Sequence, residues 1–175
     1  RGVWSNKQLP IYWVQLSSME RKYWPLFRNN QLQLLKETRN TGMAVTSDIG
    51  LKNDVHPPDK KTVGERLARW ALKKTYYKKI IPSGPLPLSA KYRNGKVIVS
   101  FQYMANGLKT SDDKPLKGFS IDGKNETKAI FGDRGIIIPV SSKPQVIYYG
   151  WSPFSNGNLV NSENLPASTF KIKVQ

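Results

Sequence analysis

The sequence contains no cysteine and only one histidine in 175 residues. The first absence excludes disulfide bridges and thiolate metal sites, and the second leaves no histidine cluster for zinc, so neither a metal nor a cofactor is expected. Acidic side chains are also scarce: 12 Asp and Glu face 28 Lys and Arg, for a net charge of +16. No run of about 18 consecutive apolar residues is present, and the opening RGVWSNKQLP has no apolar core. These residues therefore hold neither a helical membrane span nor an export signal. What is plentiful is aromatic: five Trp, eight Tyr and six Phe, with 38% apolar residues. That is too many for a disordered chain, and the length is enough for a packed core.

The positive charge is spread rather than gathered. Residues 1–80 carry 16 basic and 6 acidic side chains, and residues 81–175 carry 12 and 6. No basic arm stands out, and the densest cluster (Arg66, Arg69, Lys73, Lys74, Lys78, Lys79) follows one helix and reads as its solvated face. Neither nucleic acid nor a membrane is expected as a partner.

The period of the apolar pattern changes near residue 82, dividing the chain into regions 1–81 and 82–175. In the first, Ile11–Leu16 and Met43–Thr46 read as strands buried on both faces, as in a parallel sheet. Between them the spacing of Phe27, Gln31, Leu34 and Leu35, with Pro25 in the first turn, predicts a helix that packs on that face. A second helix is expected to start at Thr62, where Glu65 completes a capping box. Val63, Leu67, Trp70 and Ala71 form its apolar stripe, with Arg66, Arg69 and Lys73 turned to water.

After IIPSGPLP the pattern becomes short alternating runs between turn residues. Strands are expected at 89–92, 97–103, 119–121, 128–131, 135–140, 145–149 and 170–174, punctuated by Gly95, Asn106-Gly107, Asp122-Gly123 and Asn156-Gly157. Seven short strands in about ninety residues suggest a small antiparallel β-sandwich. The fold class is thus α/β plus β.

His56 lies in TSDIGLKNDVHPPDK (46–60), a polar loop that leaves the C-terminal end of a predicted parallel strand, which is where open α/β sheets build their sites. Asp54 and Asp48 are both near enough in sequence for a carboxylate to orient one imidazole nitrogen while the other faces substrate. Pro57 and Pro58 stiffen the loop.

The stretches LPIYWVQLSSMERKYWPLFR (9–28), NTGMAVTSDIG (40–50), NDVHPPDKKTVGERLARWAL (53–72) and GWSPFSNGNLVNSENLPASTF (150–170) resemble the C-terminal half of sialate O-acetylesterases, carbohydrate esterases of the SGNH hydrolase superfamily. The resemblance implies the C-terminal part of an SGNH-type, flavodoxin-like parallel layer followed by the β-sandwich. It implies a Ser-His-Asp mechanism acting on acetyl esters of sialic acid or a related sugar, and a periplasmic or secreted setting. By it His56 corresponds to the general base and Asp54 to its acidic partner.

Two departures accompany the likeness. Many superfamily members place the acid three residues before the histidine, and here that position is Asn53; Asp48 is the reserve to Asp54. The family's Gly-Gln-Ser-Asn and Trp-x-Gln-Gly-Glu blocks are absent. Ser17, Ser18 and Ser47 sit in no nucleophile elbow. The chain is therefore expected to be a fragment, inactive alone, whose serine comes from an N-terminal segment of the same protein. The alternative reading is a noncatalytic carbohydrate- or polyanion-binding module.

Overall fold

The computed structural model describes residues 1–175. β1 (Ile11–Val14), α1 (Trp24–Glu37) and β2 (Thr41–Ala44) form a strand, helix, strand unit in which β1 and β2 pair in parallel. β1 ends two residues before the expected bound, and β2 lies two residues earlier than expected at both ends. Only β2 is buried throughout; β1 begins with an exposed Ile11, so the expectation of two doubly buried strands holds for one.

The buried face of α1 differs from the expected one. Pro25, Arg28, Asn29 and Leu32 face inward, whereas Phe27 and Leu34 are about half exposed. Apolar periodicity was misleading because the inner face is largely polar. Its polar groups find partners: Asn29 Oδ1 accepts from the Lys171 N–H, and the Arg28 carbonyl accepts from Gln15 Nε2.

α2 (Lys60–Lys74) starts two residues before Thr62. Its N-cap is Asp59, whose carboxylate accepts the Thr62 N–H at 2.9 Å and the Thr62 hydroxyl at 2.6 Å. An aspartate at this position satisfies a free amide of the first turn without a capping box. Trp70 is the most buried residue of its stripe and donates Nε1–H to the Met43 carbonyl. Of the three cations expected in water, only Lys73 is exposed. Arg66 folds back on Asp48 and the Val45 carbonyl, and Arg69 on Glu163 and the Ile81 carbonyl.

Nine strands follow: β3 (Leu86–Arg93), β4 (Lys96–Gln102), β5 (Leu108–Thr110), β6 (Phe119–Ser120), β7 (Ile130–Gly132), β8 (Gly135–Pro139), β9 (Val146–Tyr149), β10 (Leu159–Asn161) and β11 (Phe170–Lys173). They form antiparallel sheets ordered β3-β4-β8-β7, β11-β9-β6 and β10-β5. All seven expected strands are present within a few residues; β5 and β10 were not expected. Each has three residues and pairs across about fifty positions, which leaves little local signal. The β3–β4 hairpin turns at Asn94 and Gly95, both with positive φ (49° and 72°), the geometry that the right-handed strand twist favours.

The two larger sheets meet along one edge. Beyond β11 the chain bonds in parallel with β3, with Gln175 N–H on the Ala90 carbonyl and Tyr92 N–H on the Gln175 carbonyl. Phe101, Phe119, Tyr149 and Phe170 pack between the sheets, with Tyr149 stacked on Phe170 at 5.6 Å. The core is continuous across residue 82: Leu32, Met43 and Val45 belong to the same apolar cluster as these rings.

Candidate active site

The loop after β2 carries the histidine, and contacts along its length fix its course. Arg66 Nη1 donates to the Val45 carbonyl where the loop leaves the sheet. The Ser18 hydroxyl donates to the Ser47 carbonyl at 2.6 Å, and Gly50 lies so close to Ser18 that a Cβ there would stand 2.1 Å from the Ser18 carbonyl oxygen. Asp59 then ends the loop by capping α2.

His56 and Asp54 are brought together. Asp54 Oδ1 lies 2.9 Å from His56 Nδ1 and also accepts the His56 backbone N–H at 2.8 Å. The backbone N–H first, and then the ring, hold the Asp54 carboxyl below its ordinary value of 3.8. An ionised carboxylate only accepts, so Nδ1 carries the hydrogen and Nε2 of the neutral ring keeps a free lone pair. The imidazole is 79% exposed, in the loop that leaves the C-terminal end of β2. An incoming hydroxyl can therefore reach it.

Asp48 is not beside the histidine. Its two carboxylate oxygens each receive a hydrogen bond of 2.6 Å from Arg66, a fork-to-fork pair that uses both. This carboxylate, the reserve acid of the sequence reading, is engaged by Arg66 and braces the loop. Asn53 lines an adjoining groove.

No serine hydroxyl hydrogen-bonds to His56. Ser17 and Ser18 are buried, donating to the Val55 and Ser47 carbonyls, and so act as loop struts. Beside the loop opens a groove of about 630 Å³, lined among others by Arg21, Tyr23, Trp24, Phe27, Lys52 and Asn53. Trp24 is fixed there by its Nε1–H on the Ser17 carbonyl at 2.7 Å, edge-on to Phe27 at 6.3 Å. Trp70 by contrast is core, and Trp151 packs on Tyr148 at 5.0 Å.

Sequence reasoning passed over the buried polar residues behind the loop, Arg28 above all. Burial pushes the Arg28 guanidinium down to about 10, still charged at neutral pH.

No protein-family model matches this chain, and no curated protein does. Among solved structures it is similar to a carbohydrate acetylesterase from Xanthomonas citri, with 31% sequence identity and a TM-score of 0.82. The match takes in 97% of this chain and 42% of that protein, so the chain spans less than half the length of its neighbour. Its α/β unit and antiparallel sheets are thus an arrangement shared, almost end to end, with part of a carbohydrate acetylesterase.

Proposed function

We propose that this chain supplies the general base of a carbohydrate O-acetylesterase of the SGNH, sialate 9-O-acetylesterase-like kind. The observation that carries the reading is the oriented, open imidazole: Asp54 holds Nδ1, and the ring is exposed on the loop that follows β2. The likeness to a carbohydrate acetylesterase over nearly the whole chain supports it.

In this mechanism His56 Nε2 takes the proton of a serine as its oxygen attacks the acetyl carbonyl, then returns that proton to the departing sugar oxygen. Water, activated by the same nitrogen, releases acetate. Asp54 keeps the ring in the correct tautomer and stabilises the imidazolium that forms. The serine and the oxyanion donors come from a preceding segment of the same protein. Support for that partner lies in the second edge of β1, which pairs with β2 alone and begins with an exposed Ile11. The aromatic groove beside the loop offers faces on which an acetylated sugar ring can stack.

The test is turnover of p-nitrophenyl acetate and acetylated sialic acid by this chain alone and after addition of the preceding segment. Turnover is expected only in the second case, with a loss of about 10²–10⁴-fold in His56→Ala. Complemented enzyme at full rate with alanine at 56 overturns the reading. One observation favours a polyanion-binding alternative: Lys73, Lys74, Tyr76, Tyr77, Lys78 and Lys79 are all exposed together. Heparin binding with a steep salt dependence, together with no turnover on complementation, would favour it.

A further inference from the structure

Arg28 is fully buried, yet no carboxylate faces it. Its guanidinium reaches from α1 to the segment that follows β9 and to the residue before β11. Nε donates to Thr169 Oγ1 at 2.9 Å, Nη1 to the Pro153 carbonyl at 2.9 Å, and Nη2 to the carbonyls of Gly150 at 3.1 Å and Ser152 at 2.6 Å. Four of its five N–H groups are thus spent on neutral oxygens. Three of those oxygens are main-chain carbonyls within four residues, so the cation fixes the path of the 150–153 segment.

That segment is what the histidine side rests on. The Met19 N–H points to the Pro153 carbonyl at 3.4 Å, and the Ser155 N–H donates to Ser18 Oγ at 3.1 Å. From 17–20 the contacts continue to the histidine loop. Ser18 Oγ donates to the Ser47 carbonyl, the Glu20 N–H to the Lys52 carbonyl at 2.8 Å, and Ser17 Oγ to the Val55 carbonyl at 3.3 Å. Val55 is the residue between Asp54 and His56. The loop has no other buried support along 51–56, where every residue but Val55 is exposed.

We infer that Arg28 is a positioning residue for His56: by clamping the 150–153 carbonyls it turns the strand-rich part of the chain into the platform that holds the 17–20 and 52–56 segments in register. The inference rests on the reading of His56 as the base, but concerns the geometry that keeps Asp54 on its ring. A guanidinium suits the task because its planar fork addresses several carbonyls at once, which an ammonium does less well.

The lone histidine makes the test direct. In the 175-residue chain labelled with ¹⁵N-histidine, long-range ¹H–¹⁵N spectra at about pH 8, above the usual imidazole titration, report the tautomer of one ring only. The wild-type ring is expected to be mainly Nδ1–H. Arg28→Met and Ser18→Ala are expected to lose that preference and return the ring to the Nε2–H majority of a free side chain. Arg69→Met, which breaks a different tie between α2 and the strand-rich part, is expected to keep the wild-type spectrum. Each variant is compared where circular dichroism shows it folded, and if Arg28→Met does not fold, Ser18→Ala decides. A residue that merely stabilises the fold would lower the melting temperature without moving the tautomer. The inference is overturned if the folded variants keep the wild-type tautomer, if Arg69→Met changes it as much, or if the wild-type ring is already Nε2–H. None of these readings involves an ester, so failure here is distinct from failure of the esterase assignment, which turnover decides.

Discussion

Arg66 and Asp48 face each other through two hydrogen bonds of 2.6 Å each, and the same guanidinium nitrogen that holds one of them also holds the Val45 carbonyl. The carboxylate nearest the end of β2 is thereby committed to the loop's anchor, and the one two residues before His56 is left for the ring. What separates the two is an arginine eighteen residues beyond Asp48.

Their roles separate in the complemented enzyme. Asp54→Asn is expected to lower kcat by about 10²–10⁴-fold, because an amide no longer selects the Nδ1–H tautomer. Asp48→Asn is expected to stay within a few-fold of wild type, while Arg66→Met destabilises the chain by about 1–3 kcal/mol in urea denaturation through the bonds it leaves unmade. Equal losses of kcat in both aspartate variants would refute the division.

The two faces of α1 make a second comparison. Leu32 has no exposure and sits in the central cluster, so Leu32→Ala is expected to cost about 2–5 kcal/mol. Leu34 is 48% exposed, and Leu34→Ala is expected to fall within about 0.5 kcal/mol of wild type in the isolated chain. Unfolding midpoints of the two variants check this, and a reversed order would restore the face that periodicity suggested.

Acid stability follows from four carboxyls. Asp54, Asp59, Asp112 and Asp122 are each held below 3.8 by hydrogen bonds: from the backbone N–H and ring of His56, from the hydroxyl and N–H of Thr62, from the side-chain amide of Asn158, and from the backbone N–H groups of Lys124 and Asn125. With a depressed folded value, the unfolded chain takes up protons first as pH falls. Their stabilisation is therefore complete above the unfolded value and is lost as pH drops through the folded ones. The melting temperature is expected to be insensitive to these groups between about pH 5 and 7 and to fall below about pH 4. Asp122→Asn should give a lower plateau and a shallower acid limb; an unchanged limb would contradict the role given to Asp122.

Much of the local framework could be read from residue order. Pro25 opens α1, Asn94-Gly95 closes the first hairpin, and alternating apolar residues mark the longer strands, because each depends on backbone preferences spanning only a few positions. The nearness of His56 and Asp54 was legible because they stand two residues apart, whereas the contacts that hold their loop come from distant segments.

What the amino-acid order by itself determined was therefore both helices, nine of the eleven strands and the nearness of His56 to Asp54. Tertiary structure alone decided which face of α1 is buried, why β5 and β10 exist, where Asp48 spends its charge and what Arg28 is for. Those outcomes depend on carbonyls and carboxylates supplied from eighteen to more than a hundred residues away. A buried polar group is stable only when such partners are in place, and no local pattern records where they will be.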